Sequence, residues 1–469
     1  MIWFLARHEW RVLSASRVVR VVLLAFSIAL LVASLIGTAR AERERATLAK
    51  FEQRASQASL VSVPHFQPAT GITGDGASLR ADLVANERGY LALLPPAPLG
   101  ALAIGQGDVY PNYVKVTARS LDALVSGDQI EHPLAVASGQ FDVAFVILFL
   151  YPLLIFAVSF DLTATERDQG TLRMVLAQPV TLRAVIAGKM IVRSLKLLVP
   201  ALLIPIAAAA VTSPIDNDFW LRAALWSIGI VIYGAVWHGL ALVVNARGGS
   251  APANALVLAG IWLLFAVVGP QAVNLAIAVK YPMPSRVEAA VQARAATQEA
   301  TVQGSRQLGQ FLQDHPTSGN VGREGMRQFA LLQAARDERV ADRLEAVEAT
   351  FNAQLEKQRR LASWLSVLSP TMVAQGVLLE IAGTSTARFD RFRREASSFQ
   401  RQWRAYFEPR VLDAATLTPA EYAAAPSFSY VDESAAPAAR RIAMPLLLLT
   451  LAAVALVTIG FRRYGAYTL

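Results

Sequence analysis

The apolar residues of this chain are gathered into six long blocks, and this grouping limits the fold more than any other feature. Of the 469 residues, 54% are hydrophobic, and they are concentrated between polar stretches instead of being spread evenly. A helix needs about 20 apolar residues to cross the hydrocarbon core of a bilayer. The blocks therefore predict a mainly α membrane protein with six transmembrane helices, at residues 21–38, 141–160, 190–212, 221–244, 253–279 and 442–461.

The first 20 residues alternate aromatic and basic side chains ahead of the first apolar block. Trp3, Arg7 and Trp10 recur at roughly helical spacing. This pattern predicts an amphipathic helix over residues 1–20 that lies in the headgroup layer. A cleaved signal peptide is the alternative for the first block, because Ala39-Arg40-Ala41 resembles a signal-peptidase site.

Two long polar segments separate the apolar blocks, and their compositions differ. Residues 41–140 begin with a charged, helix-favouring stretch and continue with short β-type runs between Gly and Pro residues. They predict a small α+β domain. Residues 280–441 are rich in Ala, Gln, Glu and Arg and predict a helical domain. Within it we expect a pair of helices between residues 286 and 361.

The last part of the helical domain carries two further patterns. Residues 361–379 are apolar but are interrupted at Ser369-Pro370. We interpret them as helices resting on the membrane or on the spans, and a seventh membrane helix is the alternative. A charged helix is expected after them, with apolar anchors at Phe389, Phe399, Trp403 and Phe407, and residues 414–439 are expected to form a return linker.

Basic residues lie near one set of span ends, and they predict the orientation. Arg167, Arg183 and Lys189 lie between the second and third spans, and Arg462 follows the sixth. Loops rich in Lys and Arg stay in the cytoplasm. Both termini are therefore expected in the cytoplasm, and the two long polar segments outside it. Topology also accounts for the net charge of +9, so nucleic acid is not an expected partner.

Catalytic and metal-binding motifs are missing from the sequence. It has no G-x-x-x-x-G-K-[ST], no H-E-x-x-H and no G-x-S-x-G, it lacks cysteine, and its five histidines are scattered. His238 lies inside the fourth span; we expect it to be hydrogen-bonded between helices, and a functional intramembrane group is the alternative. Few other polar residues lie at membrane depth, which argues against a proton-coupled secondary carrier.

Residues 161–189 form the polar link between the second and third spans. They contain Glu166, then Gly170-Thr171-Leu172-Arg173, then Leu176, Pro179 and Gly188-Lys189. This order resembles the E-x-x-x-G-T-L-x-x-L-x-x-P-[VI]…GK signature of type 2 ABC-transporter permeases. The long polar segments after the first and fifth spans resemble those of the multicopper-enzyme maturation permeases, especially a bacterial subgroup.

That resemblance implies a coupling helix over Glu166–Gln178, on which a separate cytoplasmic ABC ATPase dimer would act. ATP and Mg²⁺ would bind the ATPase, so neither a cofactor nor catalysis is expected in this chain. Glu166 and Arg173 would be charged contacts. Leu172 and Leu176 would seat in an ATPase groove, with packing against the chain's own spans as the alternative for both. Glu166 is expected to be exposed in the isolated subunit. The implied ATPase-coupling residues are Glu166, Gly170, Thr171, Leu172, Arg173, Leu176 and Pro179.

The same resemblance implies further partners and a location. One six-span unit is half a transporter in this family, so a second permease copy or a paralogue is expected beside the lipid bilayer. An extracytoplasmic partner protein is a further expectation. The chain would reside in a bacterial cytoplasmic (inner) membrane and would export an unspecified substrate or extract it from the membrane. A non-transporting scaffold or signalling protein with partner-binding outer domains is the alternative.

Overall fold

Apolar helices dominate the computed structural model. It describes residues 2–60, 79–105, 112–118, 121–122, 141–178, 180–282, 353–413 and 415–465, with isolated positions between 291 and 350. Within this part of the chain, six helices are long and apolar enough to cross a membrane. The chain is therefore a multi-pass membrane protein, as its apolar blocks predict.

The helices and strands are numbered in chain order. The helices are α1 (Ile2–Ala15), α2 (Arg17–Leu60), α3 (143–159), α4 (Ala164–Asp168), α5 (Thr171–Leu176), α6 (Leu182–Thr212), α7 (Asn217–Asn245), α8 (Ala251–Lys280), α9 (353–366), α10 (Pro370–Ala382), α11 (Thr386–Leu412), α12 (Pro419–Ala423) and α13 (Ala435–Gly465). The strands are β1 (Leu79–Arg80), β2 (Tyr90–Leu93), β3 (Tyr113–Val116), β4 (Leu121–Asp122) and β5 (Thr416–Leu417).

Five of the six long helices extend beyond the predicted spans, and α3 lies within the predicted 141–160. The first, α2, continues as one helix to Leu60 because its polar flank is rich in Ala, Glu and Arg, which favour helix. The third, α6, begins at Leu182, where the side chain of Thr181 accepts a hydrogen bond from the Ala184 N–H. The last residues of the predicted 161–189 link therefore belong to the third long helix.

Two of these helices contain a π-helical turn just ahead of a proline. In α3 the turn covers Val146–Leu150 before Pro152, and in α8 it covers Leu263–Val268 before Pro270. Proline lacks an N–H, and its ring collides with the carbonyl four residues earlier. The wider turn relieves that collision. Hence α8 continues as one helix through Gly269-Pro270.

Both chain ends lie at the same end of the bundle as residues 161–181, which we call the linker end. Glu9 of α1 pairs with Arg193 near the start of α6. Tyr464, at the end of α13, is buried in one cluster with Leu162 and Leu172. An even number of spans places the two chain ends on one side, as observed.

The opposite end, which we call the sheet end, joins segments that the sequence predicts as two separate domains. β1 pairs antiparallel with β5, so that Leu79 faces Leu417. Strands β2, β3 and β4 form a second antiparallel sheet, and α11 packs on it. A three-stranded sheet needs a packing partner to be stable. The predicted anchors of α11 provide it, since Phe389, Phe399, Trp403 and Phe407 are all buried in the cluster that holds Val114 and Val116.

Helix α10 is packed among the spans. Ser369 caps it by accepting a hydrogen bond from the Met372 N–H, and α9 precedes it across a short turn. With 13 residues it is shorter than the about 20 that a span requires. Val377, Leu378 and Ile381 lie in the same core cluster as α7 and α13. Helix α10 therefore packs on the spans, and its 13 residues are too few for a seventh membrane helix, whereas Trp364 and Leu368 ahead of it are exposed.

Ion pairs fasten the sheet end to the fourth and sixth long helices. Arg222 of α7 is buried and donates to the backbone oxygens of Ile381 and Glu433. Arg441 of α13 donates to Glu433 Oε2 over 2.5 Å and to Glu380 Oε1 over 2.6 Å. The hydrogen bonds and charge of Arg441, together with nearby Arg391, hold the pKa of the Glu433 carboxyl below its usual value.

Several predictions concern residues outside the described ranges. Most of the predicted helix pair between residues 286 and 361 lies there, as do residues 61–78 and 123–140 of the predicted α+β domain. These predictions stand as made.

Candidate functional site at the linker end

Two short helices, α4 and α5, form the link between the second and third spans. Gly170 separates them with φ +73°, a conformation that residues with a Cβ rarely adopt. The Thr171 hydroxyl donates to the Glu166 backbone oxygen over 3.1 Å and ties the two helices together. The predicted coupling helix is therefore a pair of helices joined by a tight turn. A Cβ at Gly170 would meet no atom within 4 Å, so the turn, and not close packing within this chain, requires glycine.

Glu166 is paired within the chain, contrary to the expectation that it is exposed. Its Oε1 accepts a hydrogen bond from Lys189 Nζ over 2.7 Å, and Lys189 also donates to the Leu162 backbone oxygen over 2.8 Å. The Glu166 side chain is 31% exposed and that of Lys189 9%. The sequence predicts Lys189 as a cytoplasmic charge flanking a span. In the structure it is buried instead and connects α6 to the linker.

Arg193 connects three parts of the linker end. Its guanidinium donates to Glu9 Oε1 over 3.1 Å, to Asp161 Oδ1 over 2.9 Å and to the Val158 backbone oxygen. Its side chain is 7% exposed. A buried guanidinium requires paired charges, and here it has two carboxylates and a carbonyl. Arg193 therefore holds α1 and the end of α3 against α6.

The predicted amphipathic helix α1 packs along α6. Ala6 and Leu13 are buried against Val192, and Lys196 Nζ lies 3.9 Å from the centre of the Trp10 ring. Arg7 and Arg11 are exposed, and Trp3 is 83% exposed. The helix thus has one face for the protein and one for its surroundings, as its sequence pattern predicts.

Two asparagines bind the linker to the loop between α7 and α8. Asn245 Oδ1 accepts from the Leu162 N–H and from Asn254 Nδ2, each over 3.2 Å, and Asn245 Nδ2 donates to the Ser159 backbone oxygen over 2.9 Å. Arg167 adds hydrogen bonds to the backbone oxygens of Gly248 and Gly249. The sequence reasoning missed both asparagines. The sequence feature that could have identified them is the placement of one asparagine at each end of a short loop between apolar blocks.

Leu172 faces the interior of this chain. It is 1% exposed and packs with Leu162, Leu182, Ile186 and Leu242. The alternative of packing against the chain's own spans is therefore correct for Leu172, because one face of α5 has to cover the apolar ends of α6 and α7. An ATPase groove cannot receive this side chain without unpacking it.

The outward face of the linker is mostly polar. Asp168, Gln169 and Thr171 are exposed, and Met174 is 73% exposed. Met174 is absent from the residues implied by the family resemblance. The side chains of Arg173 and Leu176, and the whole of Pro179, lie outside the described residues. The described outward face thus runs from Asp168 through Met174 to Ala177 and Gln178.

His238 is buried in α7 with 6% exposure. Neither ring nitrogen has a hydrogen-bond partner among the described atoms. The expected interhelical hydrogen bond of His238 is therefore not seen within the part of the chain that the structure describes. Among the residues that the structure describes, no group of three His, Asp or Glu side chains could hold a metal ion.

A comparison with known families finds a match in the second long polar segment. A family model described as a domain of unknown function (DUF3526) matches residues 286–431. The match covers about a third of the chain and includes α9 to α12, the helical part of the sheet end. No curated protein matches the chain. The matching family has no assigned function, so it assigns none to this chain.

Proposed function

We propose that this chain is the permease subunit of an ATP-driven type 2 ABC transporter. The observation that carries the proposal is the α4–α5 pair: a compact helical link between two spans, fastened to its neighbours by buried charges, with a polar face left open. A separate ATPase dimer would bind ATP and Mg²⁺ and would press on that face. The resemblance of the Glu166–Lys189 sequence to the coupling signature supports the same assignment.

The contacts of the linker define how a push on it would reach the spans. The Glu166–Lys189 ion pair transmits displacement to α6, and the Arg167 hydrogen bonds transmit it to the α7–α8 loop. Arg193 passes it on to α1 through Glu9. Charged hydrogen bonds in a water-poor site are stiff, because breaking them exposes an unpaired charge. Movement of the linker would therefore tilt several spans together.

The distribution of basic residues supports a cytoplasmic location for the linker end. Exposed Arg183, Arg247, Arg462 and Arg463 lie there. By the positive-inside rule both termini are cytoplasmic and the sheet end is outside. The family resemblance places the chain in a bacterial cytoplasmic membrane, with a second copy or a paralogue completing the transporter. Such a pair would export its substrate or extract it from the membrane.

A non-transporting scaffold is the second candidate. The observation that favours it is the size of the sheet end, where α11 and two small sheets form a core separate from that of the spans. A scaffold would use this core to hold an extracytoplasmic partner protein. It would not respond to nucleotide.

The test is co-expression with an ABC ATPase encoded beside this chain's gene. We expect the ATPase to co-purify and its turnover to change when the two are reconstituted in nanodiscs. The double variant Asp168→Ala/Met174→Ala alters only exposed side chains and should reduce both co-purification and turnover response at least about tenfold. Arg11→Ala, an exposed change at the same end on α1, is the control. A double variant that retains the ATPase and full turnover contradicts the proposal.

A further inference from the structure

A cavity of about 930 Å³ lies at the sheet end. Its walls are the outer part of α2, the start of the three-stranded sheet, and residues 422–430. These segments are far apart in the sequence and meet only in the folded chain. Ligand pockets in proteins typically enclose about 300–1,000 Å³, so this cavity can hold a molecule of ordinary ligand size.

The described charged residues of the cavity wall are all basic. Arg45, Arg88 and Lys115 line it, and no Asp or Glu is among the lining residues that the structure describes. Gly89, with φ +61°, lets the chain pass close to β3: a Cβ there would lie 2.6 Å from the Val116 backbone oxygen and 3.2 Å from Lys115 Cε. The Lys115 side chain thus runs beside Gly89 at the cavity wall. Three cations around one concave space favour an anion.

Aromatic rings form much of the remaining wall, and their contacts hold them in place. Phe51 of α2 lies 5.0 Å from the Tyr113 ring, which ties α2 to the sheet. Tyr90 packs against Trp403 at 5.7 Å and donates its hydroxyl to the Phe428 backbone oxygen over 3.2 Å. These rings offer an apolar surface that exists before any ligand arrives.

Tyr430 supplies an independent observation. It lines the cavity, is 7% exposed, and its hydroxyl has no hydrogen-bond partner among the described atoms. Burial, reinforced by nearby Asp432, raises the pKa of this phenol, so it remains a neutral donor. A buried hydroxyl without a partner is unfavourable, and an acceptor oxygen on a ligand would satisfy it.

We propose that this cavity binds an anionic amphiphile, a molecule with an apolar body and a carboxylate or phosphate head. The aromatic wall would take the body, and Arg88, Lys115 and the Tyr430 hydroxyl would take the head. An acyl lipid and a water-soluble aromatic anion share this chemistry. The proposal does not depend on transport, because binding is measured on this chain without any ATPase.

The test uses the full chain in phosphatidylcholine nanodiscs and the fluorescent probe 11-(dansylamino)undecanoate, corrected for empty nanodiscs. We expect saturable binding that oleate or phenyl phosphate displaces and oleyl alcohol does not. Displacement by oleate alone identifies a lipid source, and displacement by phenyl phosphate alone identifies a soluble one. Arg88→Gln/Lys115→Gln should weaken probe binding at least about tenfold, because two charged contacts are lost. Arg393→Gln/Arg394→Gln, on the exposed face of α11, removes the same charge elsewhere and should leave binding unchanged.

Two further variants keep the result interpretable, since Arg88 and Lys115 also make contacts within the chain. Ala49→Trp, at an exposed position of α2 that lines the cavity, should block the probe by bulk. Tyr430→Phe should weaken binding while preserving the ring packing. The proposal is overturned if wild-type chain does not bind the probe saturably, if oleyl alcohol competes as well as oleate, or if Ala49→Trp binds like wild type.

Discussion

Lys189 and Glu166 form an ion pair of 2.7 Å in which the lysine is the buried partner. The lysine belongs to a membrane-length helix and the glutamate to the linker, so the pair is a joint between a span and the segment that a partner would push. In the proposed transporter, the stability of the chain and its coupling to the ATPase would depend on this same ion pair.

The first prediction concerns Glu166. Glu166→Ala leaves Lys189 buried with one carbonyl for a partner, and we expect unfolding free energy to fall by about 2–3 kcal/mol. This replaces the expectation that an exposed Glu166 could be removed at little cost. Thermal unfolding in one detergent measures it. Asp168→Ala, whose side chain is 52% exposed, is the control and should change stability by less than about 0.5 kcal/mol. Equal unfolding midpoints for wild type and Glu166→Ala would mean that the Glu166–Lys189 ion pair contributes nothing to stability.

The second prediction concerns Gly170. A residue with a Cβ is strained at φ +73°, which costs about 1–2 kcal/mol, but its side chain meets nothing in this chain. Gly170→Ala and Gly170→Leu should therefore lose equal stability. With an ATPase present, Leu should impair co-purification more than Ala, because only the partner is sensitive to size. A much larger loss of stability for Leu in the isolated chain would show that the turn is packed from within.

The third prediction separates the two faces of α5. Leu172→Ala empties a buried site and should destabilise by about 2–5 kcal/mol. Met174→Ala, at a 73% exposed position, should change stability by less than about 0.5 kcal/mol and act on ATPase binding instead. Thermal unfolding and co-purification of the same preparations distinguish these effects. If both variants unfold alike, the inward and outward assignments of α5 are wrong.

The fourth prediction is a pH dependence at the sheet end. The pKa of Glu433 is lower in the folded chain than its ordinary value of 4.5. The unfolded chain then binds the proton more readily, so the stabilisation is present above pH 4.5 and is lost as the pH falls through the folded pKa. The unfolding midpoint is measured between pH 6 and pH 3, in steps of roughly one pH unit around the usual titration range of glutamate. Wild type should lose more thermal stability than Glu433→Gln over that range. Glu408→Gln, a surface change on α11, should follow wild type. Parallel curves for wild type and Glu433→Gln contradict the role of the Arg441 pair.

The fifth prediction is the orientation in the membrane. The chain has no cysteine, so a single introduced cysteine reports its own side. Asp168→Cys should react with an impermeant maleimide only after the cells are opened, and Arg394→Cys should react in intact cells. The reverse pattern would invert the assigned topology and remove the linker from the side where ATP is found.

Local patterns predicted much of this fold. The six long helices follow from residue spacing within single segments, and so does the burial of the aromatic residues Phe389, Phe399, Trp403 and Phe407. The pairing of Leu79 with Leu417 does not, because it joins strands that no local pattern connects. Likewise the sequence identifies Lys189 and Arg193 as charges near a span, but their carboxylate partners depend on how α1 and the linker fold back. The sequence therefore predicts the linker itself, but it does not predict which side chains of the linker point outward.

The length of helix α2 connects the sheet end to the linker end. It has 44 residues and no proline, so at about 1.5 Å per residue it is a rod of about 66 Å, roughly twice the thickness of the hydrocarbon core. Arg45 and Leu48 on this rod line the cavity at the sheet end, and its first residue, Arg17, adjoins α1. If an α-helix of this length moves as a rigid rod, a ligand that displaces its outer part also displaces its inner part. Binding at the sheet end would then reach the linker end through the backbone of one helix, with no chain of side-chain contacts between them.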